Sequence, residues 1–277
     1  MQYIQDIGTR GGVNMGSSSV RSKDGTTIGY DTSGSGPALI LVDGAFCSRA
    51  FGPSPKLAPL LAQRFTVFSY DRRGRGASGD TPPYAPQREV EDLAALVDAA
   101  GGSASLVGLS SGGALALEAA ASGLPVTKVV AYEPPYVDDE GNRGGERHQR
   151  EIERRLANGE RGGAIKYFMR DMVGAPGFAV VMMRMMPWVW RKLAAVAHTL
   201  PYDAAITTQY RVPRARFATI RVPALVLNGT KTDARLKAAA KTVASVIPGA
   251  QHGELAGQTH NVNAGVLAPA VIDFLTT

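Results

Sequence analysis

The stretch SASLVGLSSGGALALEAAASG, residues 103–123, has the pattern of a short apolar strand that runs directly into an alanine-rich helix. A Gly-Leu-Ser-Ser-Gly pentad lies at the junction. The glycines indicate a turn too tight for side chains, and such a turn pushes the side chain of Ser110 into the open. The pattern therefore predicts a serine placed for chemistry. The alternative is an ordinary tight turn whose serine caps the helix.

Strand and helix patterns alternate on both sides of this junction. Strands are predicted in TTIGYDTSG, ALILVDG, RFTVFSYD, SASLVGLS, TKVVAYEP, PALVLNG and QHGELAG. Helical spacing occurs in SPKLAPLLAQR, REVEDLAALVDAA, GGALALEAAASG, ARLKAAAKTVASVI and LAPAVIDFL. This order predicts an α/β fold with a mostly parallel sheet flanked by helices.

One long segment interrupts the alternation. Residues 136–220 contain only helical or irregular patterns, and the segment is far longer than the roughly 12 residues that a crossover between parallel strands needs. We therefore predict an inserted helical cap over 136–220 and a core formed by 19–135 and 221–277. Residues 1–18 are predicted to be a flexible N-terminal extension.

Composition limits the possible partners. The chain has 277 residues, of which 44% are hydrophobic and 19% charged, which is enough apolar sequence for a large buried core. The net charge is +6, but basic and acidic residues are interleaved, as in RGGERHQREIERRLANGER from Arg143 to Arg161. This interleaving is typical of a solvated helix and argues against a nucleic-acid partner.

The cell compartment is predicted from two further features. The first 22 residues contain no apolar run that could serve as a signal peptide or cross a membrane. The single cysteine, Cys47, cannot form an internal disulfide, and it is expected to be a packed side chain. We therefore expect a cytoplasmic protein with no membrane partner, and homo-oligomerisation stays open.

Three segments resemble the α/β-hydrolase family, and the resemblance extends over nearly the whole chain from Ser19. They are DGTTIGYDTSGSGPALILVDGA, FSYDRRGRGASGD and GLSSGG. The resemblance implies that Ser110 is a nucleophile and that a histidine near the C-terminus is its base. His260 in GQTH fits this position. The other histidines are predicted to be structural: His148, His198 and His252.

The family stabilises its tetrahedral oxyanion with two backbone N–H groups. The resemblance assigns these donors to Ser111, which follows the nucleophile, and to Ala45, in the loop after the third strand. Family members usually have His-Gly before the second donor, whereas this chain has Asp43-Gly44. We expect Asp43 to order the loop by bonding nearby amides, with a catalytic role as the alternative.

The acid that would orient His260 has two candidates. The family usually places an aspartate three residues after the glycine that ends the seventh strand, but that position, counted from Gly229, is Thr232. Asp233 lies one residue later and could equally cap the following helix. Glu133, at the end of the sixth strand, is the other candidate, because some lipases of this fold supply their acid from there. Both candidates stay open, with a preference for Glu133.

The predicted cap is rich in methionine and tryptophan. Core packing of the cap helices explains most of these side chains, but soft apolar groups above the nucleophile would also form a forgiving pocket. We therefore expect an uncharged, hydrophobic small-molecule substrate, with these candidate contacts: Met169, Met172, Met182, Met186 and Trp188.

A decoy motif and the predicted activity complete the sequence evidence. Residues 74–79 match G-x-G-x-x-G, but the DTPPYAP that follows does not open a helix, so no dinucleotide is expected, and no metal-ligand cluster is visible.

We predict a cofactor-free serine hydrolase of the carboxylesterase type. Thioesterase, C–C hydrolase and perhydrolase chemistry would use the same residues. A noncatalytic ligand-binding protein of this fold is the alternative from a different class.

Overall fold

The protein, described here from a computed structural model, is built around one eight-stranded sheet. The structure describes residues 16–137, 144–175, 177–207 and 210–277. The strands lie in the order β1-β2-β4-β3-β5-β6-β7-β8. Their bounds are β1 Gly16–Arg21, β2 Thr27–Ser33, β3 Ala38–Val42, β4 Thr66–Tyr70, β5 Ala104–Leu109, β6 Val126–Tyr132, β7 Ala224–Gly229 and β8 Gln251–Leu255.

Strand directions follow from how the segments connect. β2 pairs antiparallel with both β1 and β4, and every other pairing, from β4 through β3 and β5 to β8, is parallel. The central strands are continuous apolar runs because helices cover both of their faces. The carboxyl ends of β3, β5, β6 and β7 therefore meet at one edge of the sheet, where such folds place their chemistry.

Helices pack on both faces of the sheet. One face is covered by α2, α3 and α10, whose apolar side chains form a large core cluster with the strands. The opposite face is covered by α1 and α11. The helices that pack on the sheet are α1 Ser54–Leu61, α2 Pro86–Ala99, α3 Ser111–Ala121, α10 Ala234–Val246 and α11 Ala264–Thr276. The predicted mostly parallel α/β fold is confirmed.

The described residues between β6 and β7 form helices and contain no strand. These helices are α4 Gly144–Ala157, α5 Arg161–Tyr167, α6 Gly177–Met185, α7 Pro187–Val196, α8 Leu200–Ile206 and α9 Arg214–Phe217. Most of them share a separate apolar cluster, which includes Ile152, Ile165, Leu193 and Leu200 and also takes in Phe46 from the loop after β3. These helices lie within the range 136–220 predicted as a cap, and the bounds of that cap stay a prediction.

The N-terminal boundary of the fold is a correction to the prediction. Residues 1–18 were expected to be an extension, yet β1 begins at Gly16 and pairs with β2 from there to Arg21. The segment GSSSVR carries no apolar alternation, because an edge strand hydrogen-bonded on one side needs little side-chain burial. Residues 1–15 lie outside the described part of the chain.

Candidate active site

The nucleophile candidate lies on a strained turn between β5 and α3. Ser110 has φ 55° and ψ −126°, a backbone conformation that L-residues rarely adopt. Glycine is required on both sides, because a Cβ on Gly108 would collide with the backbone of Gly112, and a Cβ on Gly112 would collide with the carbonyl oxygen of Val42. This turn exposes the Ser110 hydroxyl at the carboxyl edge of the sheet, as the sequence pattern predicts.

Three side chains form a continuous hydrogen-bonded chain at this edge. His260, in the loop between β8 and α11, has its Nε2 atom 3.1 Å from Ser110 Oγ. Its Nδ1 atom lies 2.7 Å from Oε2 of Glu133, which follows β6 directly. The hydroxyl of Tyr132 donates to the carbonyl oxygen of Thr259 at 2.6 Å and so anchors the loop that carries the histidine.

The environment of Glu133 fixes its charge. Burial alone would raise the pKa of this fully buried carboxyl, but hydrogen bonds from His260, from the Gly229 amide at 2.8 Å and from the Thr232 hydroxyl at 3.0 Å outweigh it and hold the pKa below its ordinary value. An ionised carboxylate only accepts hydrogen bonds, so His260 Nδ1 carries a proton. In a neutral imidazole, Nε2 is then free to accept the proton of Ser110.

The structure separates the two candidate acids. Asp233 makes no described hydrogen bond to His260, and its Oδ1 atom instead accepts from the Arg235 amide at 2.8 Å as the N-cap of α10. Its side chain is 51% exposed. The prediction of Asp233 as a possible partner of His260 is therefore corrected by the geometry. Thr232, at the position where the family usually has its acid, donates to Glu133 instead.

The two predicted oxyanion donors flank the nucleophile. Ser111 is the first residue of α3, so its N–H has no acceptor within the helix. Ala45 lies in the loop after β3, and both residues line the cavity above Ser110. Gly44 lets this loop approach, because a Cβ there would lie 3.1 Å from Ser110 Cβ. Both residues thus border the cavity above Ser110, and their role as oxyanion donors stays a prediction.

A buried ion network that the sequence analysis missed lies beneath this site. Arg72 and Arg75, from the loop after β4, each donate to Asp203 of α8 at 2.7 Å. Arg72 also forms a bidentate pair with Glu89 of α2 at 2.6 and 2.8 Å. Burial alone would raise the pKa of Asp203, but the charges of Arg75 and Arg72 lower it below the ordinary value. The RRGR run at 72–75 could have predicted this network, because buried arginines that follow a buried strand need buried acidic partners.

The cavity above Ser110 has a volume of about 610 Å³ and mixed walls. Its apolar lining residues are Pro135, Val137, Phe168, Met172, Val173 and Leu236. Its other lining residues are Ala45, Ser111, Gly174, Asp203, Thr207, Tyr210, Lys231, Thr232, Asp233, Arg235 and Thr259, together with Ser110 and His260. The volume suits a small organic molecule.

The predicted cap contacts are only partly placed at this cavity. Met172 lines it. Met169 packs inside the cap cluster instead. Met182, Met186 and Trp188 are 59%, 38% and 57% exposed and do not line the cavity, which corrects their prediction as substrate contacts. Helical spacing shows that a face is apolar, but it does not show whether that face meets the cavity or the solvent.

The remaining sequence candidates have structural surroundings. Burial raises the pKa of the Cys47 thiol to about 12, so the thiolate that would act as a nucleophile is disfavoured. His148 Nδ1 lies 2.7 Å from the Tyr167 hydroxyl, and His252 Nε2 lies 2.7 Å from Asn228 Oδ1. The G-x-G-x-x-G match at 74–79 does not lead into a helix at its third glycine, since the next helix, α2, begins at Pro86.

Two searches of the described residues were negative. No group of three or more His, Cys, Asp or Glu side chains in the described part of the chain could hold a metal ion. No helix among those residues is long and apolar enough to pass through a membrane.

Asp43 does not order its loop in the way the sequence predicted. Asp43 is 2% exposed, and its carboxyl oxygens accept no hydrogen bond from a backbone amide of the described residues. Burial raises its pKa from 3.8 to about 7, and the nearby Ser54, Arg75 and Arg72 offset only part of this effect. The loop is held through backbone atoms instead, since Arg72 donates to the Asp43 carbonyl oxygen at 3.3 Å.

This buried acid predicts a pH-dependent stability. Between the ordinary pKa of 3.8 and the folded value of about 7, the folded protein binds more protons than the unfolded chain, so stability falls as the pH rises through this window. Asparagine does not ionise, so we expect Asp43→Asn to remove this loss of stability. The Tm of the variant minus the Tm of wild type should be several degrees larger at pH 8 than at pH 5. Thermal unfolding of both proteins at the two pH values measures this, and an equal Tm difference at both would contradict it.

Comparison with known proteins identifies the class. A family model described as the alpha/beta hydrolase family matches residues 34–265. An alpha/beta hydrolase from Sphaerobacter thermophilus is 47% identical, with 93% of this chain and 100% of that chain covered and a TM-score of 0.86. No curated protein matches the chain. The protein is thus an α/β protein with a serine on its strand-to-helix turn, and it belongs to the alpha/beta hydrolase family.

Two more distant structures share the fold. A hydrolase from Pseudomonas aeruginosa is 24% identical, with 94% of this chain and 98% of that chain covered and a TM-score of 0.73. The esterase RhEst1 from Rhodococcus sp. is 20% identical, with 95% and 99% covered and a TM-score of 0.70. At these identities the likeness concerns the fold, so a statement about substrate must come from the site itself.

Proposed function

We propose that the protein is a serine hydrolase that cleaves small hydrophobic esters or related carbonyl compounds through an acyl-enzyme. The observation that carries this proposal is the hydrogen-bonded chain from Ser110 through His260 to Glu133, which ends in an open cavity beside two backbone amides. A serine hydroxyl is a weak nucleophile, and an imidazole held by a carboxylate is the base that activates it.

The reaction follows from these positions. Ser110 Oγ attacks the carbonyl carbon while His260 Nε2 takes the hydroxyl proton, and the amides of Ala45 and Ser111 stabilise the oxyanion that forms. His260 returns the proton to the leaving alcohol as the C–O bond breaks, leaving an acyl group on Ser110. Water, deprotonated by His260, then attacks this ester, and the acid product leaves with Ser110 restored.

The cavity supports an apolar acyl or aryl group as the part of the substrate that is bound. The apolar side chains of Phe168, Met172, Val173 and Leu236 line the cavity, and such side chains bind by burial of apolar surface. Lys231 and Arg235 also line the cavity, but both side chains are exposed. Because solvent screens exposed charges, these two residues add less to substrate binding than the apolar lining does. Thioesters and C–C bonds adjacent to a carbonyl would pass through the same tetrahedral intermediate.

A fluorophosphonate reagent tests the proposal directly, because only an activated serine reacts quickly with it. We expect the wild-type protein to be labelled at Ser110 within minutes and to hydrolyse p-nitrophenyl butyrate. Mass spectrometry of the labelled peptide identifies the serine, and Ser122→Ala serves as the matched control, because Ser122 lies at the far end of α3. A folded wild-type protein that is neither labelled nor active would favour the noncatalytic binding protein.

A further inference from the structure

The peptide that joins Gly44 to Ala45 is held by a buried arginine. Arg75 Nη1 donates to the Gly44 carbonyl oxygen at 2.6 Å. The described part of the chain has its one cis peptide bond elsewhere, at Pro82-Pro83, so the Gly44-Ala45 peptide is trans. In a trans peptide the C=O and the N–H point in opposite directions. A carbonyl fixed on Arg75 therefore turns the N–H of Ala45 away from Arg75.

All three guanidinium nitrogens of Arg75 have partners. Nη2 donates to Asp203 Oδ2 at 2.7 Å, and Nε donates to the Thr199 hydroxyl at 3.1 Å. Both partners belong to the layer between β6 and β7, whereas Gly44 belongs to the core. The Arg75 side chain is 1% exposed and planar, so these partners leave it little freedom to move away from Gly44.

The loop needs such support because its backbone is strained. Phe46, directly after Ala45, has φ 62°, a left-handed conformation that is unfavourable for a bulky residue. The Cys47 amide also donates to the Gly44 carbonyl, but at 3.4 Å, so this bond is weaker than the one from Arg75. Without Arg75, the Gly44 carbonyl oxygen would keep only this weaker bond among those described.

We propose that Arg75 is a positioning residue that preforms the oxyanion site by locking the Gly44 carbonyl, and that Asp203 holds Arg75 in place for this purpose. The inference rests on the proposed hydrolase function and deepens it. It assigns a role in the reaction to a salt bridge between the core and the helical layer, although neither residue is placed at the reacting atoms. The donor to the oxyanion remains the Ala45 amide.

The test compares Arg75→Met with Arg73→Met. Arg73 lies in the same loop and is equally buried, but it pairs with Asp92 and Asp24, and it makes no described contact with residues 43–46. For Arg75→Met we expect kcat for p-nitrophenyl butyrate to fall about 10- to 100-fold with KM nearly unchanged, because loss of one oxyanion donor weakens transition-state binding. Arg73→Met should lower Tm but keep kcat.

A second readout separates positioning from general stability. A trifluoromethyl ketone with the chain length of the butyryl group adds to Ser110 and forms an oxyanion that resembles the transition state. Its Ki should therefore rise in parallel with the loss of kcat/KM in Arg75→Met. If Arg75→Met does not fold, Arg75→Lys keeps a cation beside Asp203 without the planar fork, and a partial loss of kcat with a higher Ki is expected.

The outcomes distinguish this inference from the proposed function. Wild-type kcat and Ki in a folded Arg75 variant, with an active wild-type enzyme, overturn the inference and leave the function standing. Equal losses of kcat in Arg75→Met and Arg73→Met that follow Tm also overturn it, because they show a merely structural role. A wild-type protein that is not labelled and hydrolyses no ester overturns both.

Discussion

Ser110→Ala is expected to reduce kcat for p-nitrophenyl butyrate by about 10⁴-fold or more, since it removes the atom that forms the acyl-enzyme in the proposed mechanism. The substitution should leave the fold intact, because alanine fills the space of the serine Cβ, and the described bond that is lost is the one to His260. Steady-state kinetics and fluorophosphonate labelling measure the effect, and labelling should disappear altogether.

The control for this variant is Ser122→Ala, at the C-terminal end of the same helix. Its hydroxyl donates to the Ala119 carbonyl oxygen at 2.8 Å, away from the cavity. We expect wild-type kcat and full labelling from it. Substantial turnover in a folded Ser110→Ala protein would mean that hydrolysis does not pass through this serine, and the proposed mechanism would be wrong.

Glu133→Gln is expected to reduce kcat by about 100-fold or more, because His260 loses the negative charge that stabilises its protonated form and holds its tautomer. Glutamine has nearly the same shape, but its NH2 group replaces one carboxylate oxygen and so faces either the Gly229 amide or the Thr232 hydroxyl, each of which now donates to the carboxylate. The kcat of the folded variant measures this loss.

Asp233→Asn removes the other carboxylate that the sequence offers. Asparagine is also a good N-cap, so α10 should keep its start, and we expect kcat to change by less than about threefold. A collapse of the rate in Asp233→Asn, with Glu133→Gln nearly active, would reassign the acid and contradict the geometry described above.

Local patterns were sufficient for the elements on which the chemistry depends. The turn at Ser110 is encoded by glycines within two residues of it, and the apolar runs of β3, β5 and β7 identify a parallel sheet directly. Choosing between Glu133 and Asp233 needed more, because the choice depends on how the ends of β6 and β7 lie beside each other. Sequence spacing along one strand does not contain that distance.

The salt bridges beneath the site had even less local signal. Arg75 and Asp203 are separated by 128 positions in the chain, and nothing near either residue identifies the other. The cap posed a different problem, because its methionines and tryptophans are apolar whether they face a cavity, a neighbouring helix or solvent. The sequence therefore predicts Met172 and Met182 equally well as substrate contacts, and only the packing of the helices shows that Met172 lines the cavity and Met182 does not.

The position of Glu133 on β6 has a consequence for how this protein can change. The loop after β7 and the first turn of α10 supply Lys231, Arg235 and Leu236 to the cavity lining, while the carboxylate that contacts His260 follows another strand, β6. The segment around this loop also holds Glu133, through the Gly229 amide and the Thr232 hydroxyl. A mutant library restricted to positions 231, 235 and 236, with Gly229 and Thr232 kept, varies the lining of the pocket without replacing a residue that hydrogen-bonds to Glu133, which makes this loop the natural starting point for directed evolution.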